Sequence, residues 1–157
     1  MNLRITWHGP YTAKEVIDNF HAVGRPPTYN GADYGLYQIY GKHILGGPDA
    51  LLYIGKTVGQ TFPGRFKRHV KWIKKEKRVR IYLGRLYDPK RHTPKGNWAT
   101  WQKDVGMAEE ILIKKYSPHY NGAAISSKLH LPKTQVILVH EGGRFRLQRR
   151  DIVPEHL

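Results

Sequence analysis

The stretch from Gly35 to His69 restricts the fold of this chain more than any other. Leu36, Tyr37, Ile39 and Tyr40 are strand formers, and Leu51, Leu52, Tyr53 and Ile54 repeat that character. Between them Gly46-Gly47-Pro48-Asp49 is turn chemistry, so the pair predicts a β-hairpin that Gly55 ends. After a loop from Gly59 to Gly64, Phe66, Val70 and Ile73 recur at helical spacing. Arg65, Lys67, Arg68, Lys71 and Lys74 surround that stripe. A hairpin therefore feeds a basic helix, and two strand tyrosines can face an arginine at the helix start.

The basic helix belongs to a basic chain. Lys and Arg number 27 against 12 Asp and Glu, a formal net charge of +15, which attracts polyanions through counterion release and steering. Nucleic acid is the expected partner. The 157 residues suit one compact domain, and with no cysteine there is neither a disulfide nor a thiolate metal site. No apolar run approaches the ~18 residues of a membrane span, so the expectation is an intracellular, cytoplasmic protein.

Along the rest of the chain, Leu3 to Trp7 predicts a short strand, and Thr12 with Glu15 a capping box opening a helix to about Ala22. Pro26-Pro27 and Asn30-Gly31 break the chain before the hairpin. Val79, Ile81, Leu83 and Leu86 predict a third strand from Arg78 to Tyr87. Asp88 to Asn97 reads as a basic recognition loop. Trp98 to Tyr116 reads as helix interrupted near Asp104 to Gly106, and Gln135 to Arg149 as a second hairpin turning at Gly142-Gly143.

Several of these residues together resemble the GIY-YIG nuclease family. Gly35-Leu36-Tyr37 stands for its first motif, with Leu for Ile, and Tyr53-Ile54-Gly55 for its second. The family also has an Arg on the following helix, a Glu on a later helix and an Asn after a Tyr, matched here by Arg65, Glu109 and Asn121. The resemblance covers about residues 33 to 122 and leaves both ends unexplained. It implies three segments: an N-terminal appendage (1–32), a nuclease core (33–122) and a C-terminal hairpin extension (123–157). The fold expected is α/β in the α+β sense. A small central antiparallel sheet of about three strands is flanked by helices, with an N-terminal helical appendage and a C-terminal β-hairpin.

The resemblance assigns Tyr37, Tyr53, Arg65, Glu109 and Asn121 to an active site. A tyrosine in a sheet is usually a packing residue, and it serves as a general base only if cations such as Lys56 or Arg65 lower its pKa. The sequence leaves open which tyrosine deprotonates water; Tyr37 is the first choice, with Tyr53 orienting water or phosphate. Arg65 at a helix start can stabilise a phosphorane-like transition state, and His69, one turn on, can share in proton transfer or phosphate binding. Lys56, Lys67, Arg68 and Lys71 are candidate substrate contacts, although a basic helix face is ordinarily just solvated.

Glu109 and Glu110 are adjacent on one helix, so only one faces a site, and spacing to Asn121 selects Glu109. With acids otherwise scattered, one divalent ion, Mg²⁺ or Mn²⁺, on Glu109 is the expected cofactor. Asn121 holds the site's edge or simply ends a helix. The other histidines, His8, His43, His92, His119, His130 and His140, read as surface residues.

The expectation is a metal-dependent DNA endonuclease leaving 5′-phosphate and 3′-hydroxyl ends, of restriction or defence type, from a bacterial, phage or mobile-element source. A homodimer on DNA is expected for palindromic sites. The alternatives are a non-catalytic basic nucleic-acid-binding module, a homing or repair nuclease, and a single-strand-specific one.

Overall fold

A computed structural model describes residues 1–28, 35–73, 78–86, 98–122 and 133–154. The elements in order are β1 (Asn2–Tyr11), α1 (Ala13–Asp18), β2 (Gly35–His43), β3 (Gly47–Thr57), α2 (Phe62–Ile73), β4 (Arg80–Leu86), α3 (Trp98–Tyr116), β5 (Val136–Gly142) and β6 (Arg150–Val153). All six strands form one sheet in the order β3-β2-β4-β1-β5-β6. Every neighbouring pair is antiparallel except β1 and β5.

This corrects the expected sheet of about three antiparallel strands. The predicted β2, β3 and β4 are present, but they make up only half of a mixed sheet. The N-terminal segment is not simply a helical appendage, because β1 lies inside the sheet between β4 and β5. Leu3, Ile5 and Trp7 alternate into the core, and β4 and β5 take up the backbone hydrogen bonds on the two sides of the strand. The C-terminal hairpin is likewise built onto the same sheet through β5. Its second strand is Arg150–Val153, not Arg144 to Arg149. Arg144 donates to the Leu147 carbonyl (2.7 Å), and the Leu147 amide donates back to that of Arg144 (3.0 Å), which makes this stretch a turn.

Side-chain alternation along β2 divides the core in two. Leu36 and Tyr40 point to the face covered by α3, where Trp101, Val105, Ala108, Ile111 and Leu112 pack. Tyr37 and Ile39 point to the other face, against Val16 of α1 and Phe62, Phe66 and Ile73 of α2. A strand buried on both faces is apolar almost throughout, which is why β2 shows so little polar alternation.

Helix bounds differ from expectation in three places; one is α2, which begins at Phe62 rather than Arg65 because Thr61 accepts from the Gly64 amide and caps it. The Thr12–Glu15 capping box is present, but α1 ends at Asp18, where Asn19 takes a left-handed conformation (φ 50°) and accepts from the Thr28 amide and hydroxyl. Conversely α3 runs unbroken through Asp104 to Gly106. A helical glycine costs only about 1 kcal/mol, and the apolar face packed around it offsets that. The Asp88 to Asn97 loop, His92, His130 and the Val70 side chain lie outside the described residues.

Candidate active site

The β2–β3 register places Tyr37 opposite Gly55. A Cβ at Gly55 would lie 2.3 Å from the Tyr37 ring and hydroxyl and 2.8 Å from the Tyr53 ring, so only glycine lets the two phenols lie across the strand. Their rings stack at 5.9 Å between centroids. Thr61 caps α2, its hydroxyl accepting from the Gly64 amide (3.2 Å), and so fixes the first turn from which Arg65 projects.

Arg65 and His69, one turn apart on α2, both reach Tyr37. The Arg65 Nε–H donates to the Tyr37 hydroxyl oxygen at 3.2 Å, and His69 Nε2 lies 2.8 Å from that oxygen. The direction of the second bond follows from a third. Trp72 donates its indole N–H to His69 Nδ1 (2.9 Å), and an indole is a donor only. Nδ1 is therefore the bare nitrogen, and Nε2–H donates to Tyr37. The phenol oxygen accepts two hydrogen bonds, and its own proton is directed elsewhere.

The expected lowering of the Tyr37 pKa is not what this environment produces. Tyr37 is fully buried, and burial raises its pKa well above the ordinary phenol value, with the Arg65 hydrogen bond only partly opposing. Burial and then the Arg65 charge push His69 down to about 4, in agreement with a ring whose Nδ1 already accepts. The hydrogen bond to Tyr37 is the main influence holding the Arg65 pKa above its usual value.

On the α3 side of the same strands, Lys56 pairs with Glu109, Nζ to Oε2 at 3.1 Å. Burial raises the Glu109 pKa, against the opposing pull of Lys56 and Arg65. Glu109 in turn adds to the rise at Tyr37. Tyr37, Tyr53, Arg65 and His69 are thus brought into direct contact, while the Lys56–Glu109 pair joins them through charge around Gly55. A cleft of about 580 Å³, lined by Met1, Lys56, Lys103, Asp104, Gly106, Met107 and Glu110, opens beside the pair. Glu110 is accordingly half-buried, whereas the sequence reading turned it to solvent.

Asn121 stands outside this cluster of side chains. Its Oδ1 accepts from the Ile54 amide (2.9 Å) and its Nδ2 donates to the Ile54 carbonyl (3.0 Å), imitating a neighbouring strand. The Tyr120 amide donates to the Leu52 carbonyl as well (2.8 Å), so residues 119–121 cover the outer edge of β3. Asn121 positions Tyr53 and Gly55 through the backbone. Lys67, Arg68 and Lys71 are exposed on α2, where they can meet phosphates.

Among the described residues no three His, Asp or Glu side chains gather as a protein-only metal cage requires. One partly buried carboxylate does suit Mg²⁺, which is commonly held by one or two carboxylates, water and substrate oxygens. Glu109 is the residue that would hold it.

One histidine departs from its expected surface role. His140 is buried, accepting from the Trp7 indole at Nδ1 (3.0 Å) and donating from Nε2 to Asp151 (2.9 Å). Lys115 and Tyr116 complete the ring of partners around Asp151, which ties α3 to β6. His43 and His119 stack at 3.9 Å. Sequence reasoning also missed Trp72, although His69 and Trp72 at i and i+3 share one helix face.

Among the described residues no helix is long and apolar enough to cross a membrane. No protein-family model, curated protein or solved structure matches the chain.

Proposed function

We propose that the chain is a metal-dependent DNA endonuclease with GIY-YIG-like chemistry, hydrolysing phosphodiesters to 5′-phosphate and 3′-hydroxyl ends. The observation that carries this reading is the convergence of Arg65 and His69 on the Tyr37 oxygen, with Glu109 in electrostatic reach. Two N–H donors on one phenol oxygen are the arrangement that stabilises a phenolate. Tyr37 is then the general base for the attacking water, and burial keeps it protonated until the site is engaged. Tyr53 orients water or phosphate from the adjacent position. Arg65, at the start of α2, opposes the charge that grows on the phosphoryl oxygens.

Glu109 would hold Mg²⁺ or Mn²⁺, which when bound supplies neutralisation of phosphate charge. Lys56 opposes the rise that burial imposes on the Glu109 pKa, and Lys67, Arg68 and Lys71 bind flanking phosphates. This chemistry fits a restriction or defence nuclease, pairing as a two-fold dimer when both strands of a palindrome are cut.

The rival is a basic nucleic-acid-binding module without catalysis, and the observation on its side is the complete burial of Tyr37. Supercoiled plasmid incubated with the protein, with Mg²⁺ or with chelator, decides between them. Nicked or linear product only with Mg²⁺ is expected. A gel shift without any cut strand under either condition would leave the binding module as the function.

A further inference from the structure

Aromatic rings continue from the candidate site to the outer end of the sheet. Tyr53 contacts His69 (5.3 Å between centroids), His69 contacts Trp72 (5.6 Å), and Trp72 contacts Tyr120 (5.5 Å). Tyr120 then contacts His43 (5.9 Å), which stacks on His119 at 3.9 Å with planes 16° apart. Packing of the first members explains their place: they sit over β3 beside the buried Phe66 face of α2. It does not explain the last ones, because Tyr120 is 41% exposed and His119 is exposed too.

The outer end is also held in shape. The Leu45 and Gly46 amides both donate to His43 Nδ1 (3.2 Å each), which fixes that ring against the β2–β3 turn. A Cβ at Gly46 would lie 2.5 Å from His119 Nε2, so glycine is what lets the second ring close over the turn. At the tip of this turn Ile44 and Leu45 stand 99% and 88% exposed. Lys42 is exposed next to it, and Arg68 and Lys71 are exposed on α2.

Water-exposed π faces bordered by cations suit nucleobases on a phosphate backbone, since stacking tolerates any base and the cations follow the strand. A protein partner fits less well, because two apolar residues at one tip fall far short of the ~1,000 Å² that a stable interface needs. An exposed aliphatic pair at a hairpin tip matches the wedges that unstack a duplex step.

We propose that this track is a stacking platform for the unpaired bases next to the cleaved phosphate, with Ile44-Leu45 wedged against the first paired step. The proposal rests on the nuclease reading only for the identity of that phosphate; the base-binding surface stands on its own geometry.

The test uses oligonucleotides with 2-aminopurine at successive positions, either single-stranded or as duplexes with a frayed end, in chelator so that no cutting intervenes. Fluorescence should change at consecutive positions on binding. The H119A/Y120A double variant should bind about tenfold more weakly or worse and lose the change, while H119F/Y120F should keep both. I44S/L45S should bind single strands normally but lose fraying of the duplex. Circular dichroism identifies any variant that fails to fold, and the phenylalanine pair then carries the test.

Unchanged fluorescence in a wild-type protein that binds DNA, or full affinity in a folded H119A/Y120A, overturns the platform. Concentration-dependent self-association abolished by I44S/L45S, with duplex fraying intact, would make the tip an interface between copies and overturn its role as a wedge. Stacking without cleavage in Mg²⁺ supports the platform while sinking the nuclease, and cleavage without stacking does the reverse.

Discussion

The Trp72 indole N–H, donated to His69 Nδ1 over 2.9 Å, decides which His69 nitrogen carries the proton offered to Tyr37. Without that donor the neutral ring can take either tautomer, and in one of them His69 no longer donates to the phenol. Trp72→Phe keeps the ring and removes the donor. Cleavage should fall about fivefold, consistent with one lost hydrogen bond of ~1 kcal/mol, while DNA affinity changes little. Nitrogen-15 spectra of His69 should show Nε2–H alone in the parent and mixed tautomers in the variant. A single unchanged tautomer in Trp72→Phe would refute the role of the indole.

Proton abstraction by Tyr37 and by its neighbour His69 predict different pH profiles. A general base works deprotonated, and burial puts the Tyr37 pKa above the ordinary phenol value near 10. The phenolate fraction then grows tenfold per unit, so log kcat at fixed Mg²⁺ should climb with slope close to 1 from about pH 7 to about pH 9. His69, pushed down to about 4, is already deprotonated throughout that range and would give a flat profile. A plateau from about pH 6 upward would remove Tyr37 as the base.

Gly55 separates motif from packing. Alanine there would put a methyl 2.3 Å from the Tyr37 hydroxyl, in a core that has no slack on that face. Gly55→Ala should lower stability by about 1–3 kcal/mol in urea unfolding and abolish cleavage, since the phenols must move apart. An alanine variant with parental activity would mean that the Tyr37–Tyr53 arrangement is irrelevant to the chemistry.

Legibility in the sequence followed the range of the interactions. The hairpin and the Thr12 cap depend on residues within a turn or two of each other, and they were readable from local pattern, whereas the start of α2 at Phe62 was placed three residues late because Gly64 looked like loop. The place of β1 was not, because a strand of Leu3, Ile5 and Trp7 looks the same at an edge as between β4 and β5. Only the distant partners Leu86 and His140, opposite Ile5, fix it there. In the site, residue identities came from motif spacing, but the tautomer of His69 and the burial of Tyr37 depend on Trp72 and on a sheet packed on both faces. The His140–Asp151 contact joins two strands of a hairpin whose second strand had been placed too early in the chain.

Asn121 gives a test of positioning without chemistry. Asn121→Asp keeps the shape and the acceptor for the Ile54 amide, but loses the donor to the Ile54 carbonyl and places a carboxylate against it. The cost should be about 1–3 kcal/mol of stability, the penalty of an unmet buried polar group. Cleavage should fall in proportion to the loosening of β3 and recover partly at low temperature. Loss of all activity with undiminished stability would place Asn121 in the reacting cluster instead.

Glu109 and its neighbours distinguish catalysis from binding. Glu109→Gln removes the anionic oxygens while keeping the shape, so cleavage should drop by several orders of magnitude while DNA affinity holds or rises, one negative charge facing phosphate having gone. Glu110→Gln is the comparison: its charge raises the Glu109 pKa, so removing it helps Glu109 ionise and should leave cleavage at neutral pH within about threefold. Lys56→Met acts in the opposite direction. Without Nζ at 3.1 Å the buried carboxyl loses its main opposing charge and its pKa rises further, so the acid limb of the pH–rate curve should move upward. Plasmid nicking across pH for the three variants checks the set. Equal losses at Glu109 and Glu110, or an acid limb unmoved in Lys56→Met, would show that the Lys56–Glu109 pair does not hold the metal.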